Sequence, residues 1–221
     1  MMPIRIIAIG DIHGCFGSLK KLVEEKIRVT KADRLVFLGD YIDRGTQSKE
    51  VVDYILHLMA MKYDIVPLKG NHEQMLIDAF TEDRYIPLWL YNGGRETLHS
   101  FGLGATVNLP VKYWNFFQGL EYYYSYRDYL FVHAGFDDQS TNPLNEKHQM
   151  LWTRNGNYTN PIFQGKTIIH GHTPITFNTC TWTIEKGAQV INLDTGCVYK
   201  HIPGCGKLTA LDIFSRTIYS V

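Results

Sequence analysis

The sequence predicts an α/β fold built on a buried parallel sheet, and three observations predict it. Over residues 4–80, apolar runs of strand length alternate three times with stretches of helical periodicity. Each run closes on a glycine followed by a polar side chain: Gly10-Asp11, Gly39-Asp40 and Gly70-Asn71. The runs are continuously apolar, as strands covered on both faces are.

The elements follow in chain order. Ile4 to Ile9 is the first strand, and Leu19, Leu22, Val23 and Ile27 recur at helical spacing after it. Asp33 opens a second strand, Arg34 to Leu38, and Val51, Val52, Ile55, Leu58 and Met59 share one face of a second helix. Ile65 to Leu68 is the third strand, followed by a helix that starts near His72 and carries Met75, Leu76 and Phe80. Strand, helix and strand in this order imply right-handed crossovers, with ligands beyond the carboxyl ends of the strands. Residues 85–120 differ: Trp89, Trp114, Phe116 and Phe117 stand among glycines, which reads as short helices and loops forming a cap. The second half reads mostly as strand. Tyr122 to Tyr126 and Tyr129 to His133 form a hairpin, and Thr167–His170, Gln189–Leu193, Lys207–Phe214 and Thr217–Val221 follow. With no repeat, linker or low-complexity tract, residues 1–221 read as one domain.

Bulk composition narrows the class. Twenty-two basic and 22 acidic residues cancel, which excludes a non-specific nucleic-acid binder and leaves room for a local phosphate-directed site. The apolar start is too short for an export signal or a membrane span. The four cysteines, Cys15, Cys180, Cys197 and Cys205, form no C-x-x-C pair and read as reduced thiols. The expectation is a cytoplasmic protein with no membrane and no nucleic-acid partner.

Five segments carry the chemistry: Gly10-Asp11-Ile12-His13-Gly14, Gly39-Asp40-Tyr41-Ile42-Asp43-Arg44-Gly45, Gly70-Asn71-His72-Glu73, His133-Ala134-Gly135 and His170-Gly171-His172. Each follows a predicted strand, and each joins a metal-capable side chain to a glycine that keeps the approach to a ligand open. Phosphoester hydrolysis needs this inventory. Two divalent ions ~3.5–4 Å apart lower the pKa of a shared water towards ~7 and hold phosphoryl oxygens. A carboxylate has two oxygens and can bridge the ions, while histidine and amide ligands keep the site net positive for a phosphate dianion. Taken singly, Asp11, His13, Asp40 and Asn71 also suit helix caps and turns. Jointly they do not, since caps have no need of histidine at two-residue spacing.

In that order, GDIHG, GDYIDRG and GNHE resemble the signature of the phosphoprotein phosphatase family within the calcineurin-like metallophosphoesterases, nearest its compact bacterial and bacteriophage form. The resemblance is densest over residues 4–80 and continues through HAG and HGH. It implies a sandwich of two mixed β-sheets flanked by helices (α/β/β/α). It implies one ion held by Asp11, His13 and Asp40, and a second by Asp40, Asn71, His133 and His172, with Asp40 as the bridge. Manganese is the first expectation for both, with iron and zinc as alternatives. The resemblance also implies attack by a metal-bridging hydroxide, His72 as general acid oriented by Asp43, and Arg44, Arg154 and Asn71 as phosphate-binding residues. The expected substrates are phosphoserine and phosphothreonine in proteins or peptides, with phosphotyrosine as an extension. The alternative is symmetrical hydrolysis of bis(5'-nucleosyl) tetraphosphates.

The residue chemistry is consistent with these roles. An acid beside the leaving oxygen contributes ~10²–10⁴ in rate. A carboxylate orients a histidine and keeps it protonated, and arginine's planar fork fits two phosphate oxygens. One departure stands out: Lys69 occupies the place where this family usually has arginine, which keeps the charge and loses the fork. His170 is read as a supporting residue beside His172, the two facing the same way on an extended chain. Cys15 is read as a small buried residue, and Trp89 to Gly94 as either core or cap. His57, His99, His148 and His201 have no motif around them.

Overall fold

The structure is a computed structural model that describes residues 4–104 and 109–221. Residues 1–3, and residues 105–108 of the expected cap, lie outside the described residues.

Among the described residues, nine strands build two sheets. In chain order they are β1 (Ile6–Ile9), β2 (Arg34–Phe37), β3 (Asp64–Pro67), β4 (Tyr123–Tyr126), β5 (Tyr129–Val132), β6 (Thr167–His170), β7 (Val190–Asn192), β8 (Thr209–Asp212) and β9 (Ile218–Ser220). One sheet runs β3-β2-β1-β8-β9 and the other β4-β5-β6-β7. Strands β1, β2 and β3 are parallel, as their crossovers require. The expected parallel sheet is therefore mixed, because β8 and β9 join its far side antiparallel, Ile7 standing opposite Asp212. The second sheet is mixed too: β4 and β5 form the expected hairpin, and β5, β6 and β7 are parallel.

The two-residue period of a strand sorts the core. Ile6 and Ala8 of β1 turn to the layer between the sheets, with Val36, Leu38, Phe131, Ile169, Ile191 and Leu211. Ile7 and Ile9 turn the other way, onto a helical layer holding Leu19, Val51, Val52 and Ile55. A third cluster, Leu130, Val132 and Ile168 with Met150, Tyr158 and Phe163, covers the outer face of the second sheet. The result is the expected sandwich of two mixed sheets flanked by helices.

The first helical layer comprises α1 (Phe16–Lys21), which widens into π-helical turns over Leu22–Ile27, and α2 (Ser48–Ala60) and α3 (Asn71–Thr81). The cap region contributes α4 (Ile86–Trp89), α5 (Arg95–Phe101) and α6 (Val111–Gln118). In the second half the expectation of mostly strand needs correcting, because two further helices lie there, α7 (Lys147–Trp152) and α8 (Phe177–Glu185). Helix α8 is rich in threonine, a poor helix former. It forms because the Thr176 side chain caps it, accepting from Thr179 N–H at 3.2 Å, and because Cys180 and Ile184 bury one face. No helix among the described residues is long and apolar enough to cross a membrane.

Candidate metal centre

The motif segments meet where the strands of both sheets end. Asp11 and His13 follow β1, Asp40 follows β2, Asn71 and His72 open α3 after β3, His133 follows β5 and His172 follows β6. The turns are tight. His13, Asp40, Asp43, Arg44 and His172 all take positive φ, between 45° and 72°. Such strain in non-glycine residues persists only where the surroundings impose it, and it concentrates at functional sites. Two glycines leave room for carboxylates: a Cβ on Gly171 would stand 1.9 Å from Asp11 Oδ1, and one on Gly70 2.1 Å from Asp40 Oδ1.

Asp40 is the centre of the arrangement. Its Oδ2 lies 3.4 Å from His13 Nε2 and 3.9 Å from His72 Nε2, and its Oδ1 lies 3.5 Å from His133 Nε2. Two groups spaced to hold a cation share this residue: His13, Asp40 and His72, and Asp11, Asp40 and His133. Asn71 Oδ1 is 2.9 Å from His133 Nε2 and 3.0 Å from His172 Nδ1, and the two ring nitrogens are 3.2 Å apart. Asp40, Asn71, His133 and His172, the set the resemblance implies for one ion, lie close together, while His13 and Asp40 also group with His72, and Asp11 and Asp40 with His133.

The donor set fits divalent metal. Buried His13 and His133 give their Nδ1–H to backbone carbonyls, of Ile42 at 2.9 Å and of Leu38 at 2.8 Å, which makes Nε2 the nitrogen that carries the lone pair. Burial above all holds both imidazoles below their ordinary pKa and so neutral, and it pushes His172 down to about 3. Burial works against the charge on Asp40, yet its pKa stands below the ordinary carboxylate value, lowered by positive charge around it, that of His72 and Arg44 included. Among the described residues, the buried side-chain polar atoms with no hydrogen-bond partner are Asp11 Oδ1, His72 Nε2 and His172 Nε2, all in this cluster. Lone pairs packed against lone pairs are costly without a cation between them.

Beside the ligands stands a dyad. His72 Nδ1 meets Asp43 Oδ2 at 2.7 Å, so Nε2 is the nitrogen left to react. Burial alone would lower the His72 pKa, but Asp40 and the Asp43 hydrogen bond outweigh it and raise it. Asp43 is in turn held by the indole N–H of Trp89 at 3.0 Å and the hydroxyl of Thr97 at 2.6 Å. Sequence reasoning gave no role to Thr97 and left Trp89 between core and cap; it is fully buried core and also part of this network. Arg44 lies at the rim, its Nη1 2.6 Å from His13 Nε2 and its guanidinium over the Tyr199 ring. A cleft of about 420 Å³ opens there, walled by Tyr91, Gly93 and Tyr199. Arg154 is exposed, and its charge reaches His172. Lys69, the departure from the family pattern, rests with Nζ 5.0 Å from the centre of the Tyr122 ring. The extended chain expected over His170 to His172 does not continue, because β6 ends at His170 and the chain turns at His172, φ 72°.

Glu73 is the residue that sequence reasoning undervalued. Fully buried, it accepts backbone N–H groups from Asp40 and Gly70 at 2.9 Å and from Tyr41 at 2.8 Å, pinning the loop that presents Asp40. The signal lay in its place three residues into α3, where a glutamate reaches back to the chain ahead of the helix. Glu73→Gln turns an amide N–H₂ towards those donors. It is expected to cost about 2–3 kcal/mol, one or two buried donors left unmet. Urea denaturation of the metal-free protein, read by circular dichroism, checks this.

The comparisons with known proteins agree with the geometry. Residues 4–201 match the family model described as calcineurin-like phosphoesterase. A serine/threonine-protein phosphatase 1 of Salmonella typhimurium is 31% identical over 88% of this chain and 88% of its own. A bis(5'-nucleosyl)-tetraphosphatase of Anoxybacillus flavithermus, named asymmetrical, is 26% identical over 92% of this chain and 88% of its own. Among solved structures, one named provisionally as a diadenosine tetraphosphatase superposes with a TM-score of 0.69, at 21% identity, over 99% of this chain and 95% of that one. At that identity the likeness speaks for the fold alone.

Proposed function

This chain belongs to the calcineurin-like phosphoesterase family, and on that footing we propose that it is a dinuclear metal-dependent phosphatase of phosphoserine and phosphothreonine in proteins, with phosphotyrosine as an extension. The observation that carries the reading is Asp40, whose two oxygens face different ligand groups while the His72–Asp43 dyad stands beside it. The proposed ligands are Asp11, His13 and Asp40 for one ion and Asp40, Asn71, His133 and His172 for the other, with manganese as the metal. Two such ions supply an activated water and neutralise phosphoryl charge.

The chain's own residues do the rest. Arg44 and Arg154 grip phosphoryl oxygens, and Asn71 assists from the ligand shell. His72 gives its Nε2 proton to the leaving oxygen. Asp43 keeps the ring turned so that Nε2 faces the site, and Trp89 and Thr97 keep Asp43 in place. In this reading residues 1–221 are one domain, 85–120 its cap, and the setting is cytoplasmic.

A second reading, hydrolysis of bis(5'-nucleosyl) tetraphosphates, is supported by the tetraphosphatase relative. One experiment separates them. Metal-stripped protein is reloaded with manganese, and turnover is followed in parallel on a phosphoserine peptide and on diadenosine tetraphosphate. Metal-dependent release of phosphate from the peptide is the expected result. Turnover of the dinucleotide alone would move the protein to the second reading, and its products, two ADP or ATP with AMP, would tell symmetrical from asymmetrical cleavage.

A further inference from the structure

Lys69 departs from the family pattern, and the metal centre makes no use of it. It is only 5% exposed. Among the described residues its side chain has neither a hydrogen bond nor an ion pair. Its Nζ lies 5.0 Å from the centre of the Tyr122 ring. Lys147, at the start of α7, brings a second ammonium to 4.9 Å from the same centre, and it too has no carboxylate within ion-pairing distance among those residues. The Tyr122 hydroxyl is likewise without a partner there.

A lysine is almost never buried unless it is paired, and the face of one ring offsets only part of one cation's charge. Two ammonium groups on one ring are short of negative charge. The carboxylates whose charge reaches Lys69 are engaged elsewhere: Glu73 by the backbone N–H groups of Asp40, Tyr41 and Gly70, and Asp78 by the Gln74 amide at 2.8 Å.

The cluster adjoins the centre. Lys69 immediately precedes Gly70-Asn71-His72, and its backbone N–H donates to the Glu121 carbonyl at 2.7 Å, which sets Tyr122 alongside. Tyr122 and Lys147 line a cavity of about 390 Å³ with apolar walls from Met75, Leu88, Leu151 and Trp152. Trp152 meets His172 edge-on, ring centres 6.2 Å apart, so the cavity is one side chain away from a proposed ligand. Beside such walls, water screens charge less than in the open.

We propose that Lys69, Lys147 and Tyr122 form an anion subsite that takes an acidic side chain flanking the phosphoserine of a peptide, and so select acidic substrates. The proposal rests on the phosphatase reading above. The carboxylate accepts from the ammonium groups, while the aliphatic part of the peptide lies on Leu88 and Trp152, both exposed apolar side chains.

The test compares, on the manganese-loaded full chain, two phosphoserine peptides that differ only in flanking glutamates replaced by glutamines. Wild type is expected to favour the acidic peptide ~10-fold in kcat/KM, the size of a charge-assisted hydrogen bond partly screened by solvent, with the difference in KM. Lys69→Gln and Lys147→Gln should each remove most of that ratio, and Lys69→Arg should keep it. Lys147 is exposed, so its variant carries the test should Lys69→Gln not fold. The ratio is the readout, because a structural disturbance lowers both peptides alike. Equal kcat/KM on the two peptides in wild type, or equal losses on both in the variants, would overturn the proposal and leave the phosphatase reading intact. Turnover of neither peptide, with hydrolysis of diadenosine tetraphosphate that depends on both lysines, would assign the pair to a polyphosphate chain and overturn the phosphatase reading and this proposal together.

Discussion

Asp40→Asn is expected to lower kcat at least ~10³-fold, about 4 kcal/mol of transition-state stabilisation, and to weaken both manganese sites together. The substitution keeps shape and removes charge. Asparagine tolerates the left-handed φ of 53° that position 40 requires, so the turn survives. What is lost is the one carboxylate whose oxygens face His13 on one side and His133 on the other. Steady-state kinetics with metal analysis of the purified variant check this. A variant that holds two ions and turns over normally would dismiss the bridging role. The metal-free variant is expected to fold as well as the wild type, because the buried anion it removes is also a cost in the absence of a cation.

The second large effect is expected at His72. His72→Asn should reduce kcat by ~10²–10⁴ on phosphoserine peptides, whose alkoxide leaving group needs a proton. On a nitrophenyl ester, whose leaving group departs as a stable anion, the loss should be far smaller. A purely structural role would depress both substrates alike, so the ratio of the two losses is the measurement. The sign of the pH dependence follows from the dyad. The raised pKa keeps the acid form to higher pH than a free imidazole would. Wild-type kcat should therefore fall as pH rises through that raised value, and the variant should lack this basic limb. The groups that set it are Asp40, Asp43 and Arg44, and Asp43→Asn should move the limb to lower pH.

Much of this was legible before any coordinates, for a local reason. Each strand of the first half is a short apolar run, and each ligand loop follows its strand immediately, so the topology sets Asp11, Asp40 and Asn71 side by side once the strands are parallel. The less legible parts depend on contacts distant in sequence. Asp43 meets Trp89 and Thr97 from the cap, 46 and 54 residues away, and no short pattern encodes that meeting. Helix α8 carries the composition of a strand, and the burial of Cys180 and Ile184 overrides it. The turn at His172 defeated the assumption of an extended chain, because positive φ outside glycine leaves little trace in sequence.

The division of ligands between the two sheets has a consequence for how the chain acquires activity. Asp11, His13, Asp40 and Asn71 hang from one sheet, and His133 and His172 from the other. The bond from His172 N–H to Asp11 spans 161 residues of sequence, and β1 cannot complete its pairing until β8 arrives. Contacts of such long range form late, since the entropy of closing the loop is lost before any of them is gained. A nascent chain that already displays its densest motifs is therefore still catalytically silent. Ions held by the proposed ligands would rivet one sheet to the other once they have docked, shifting the folding equilibrium by mass action according to how tightly they bind.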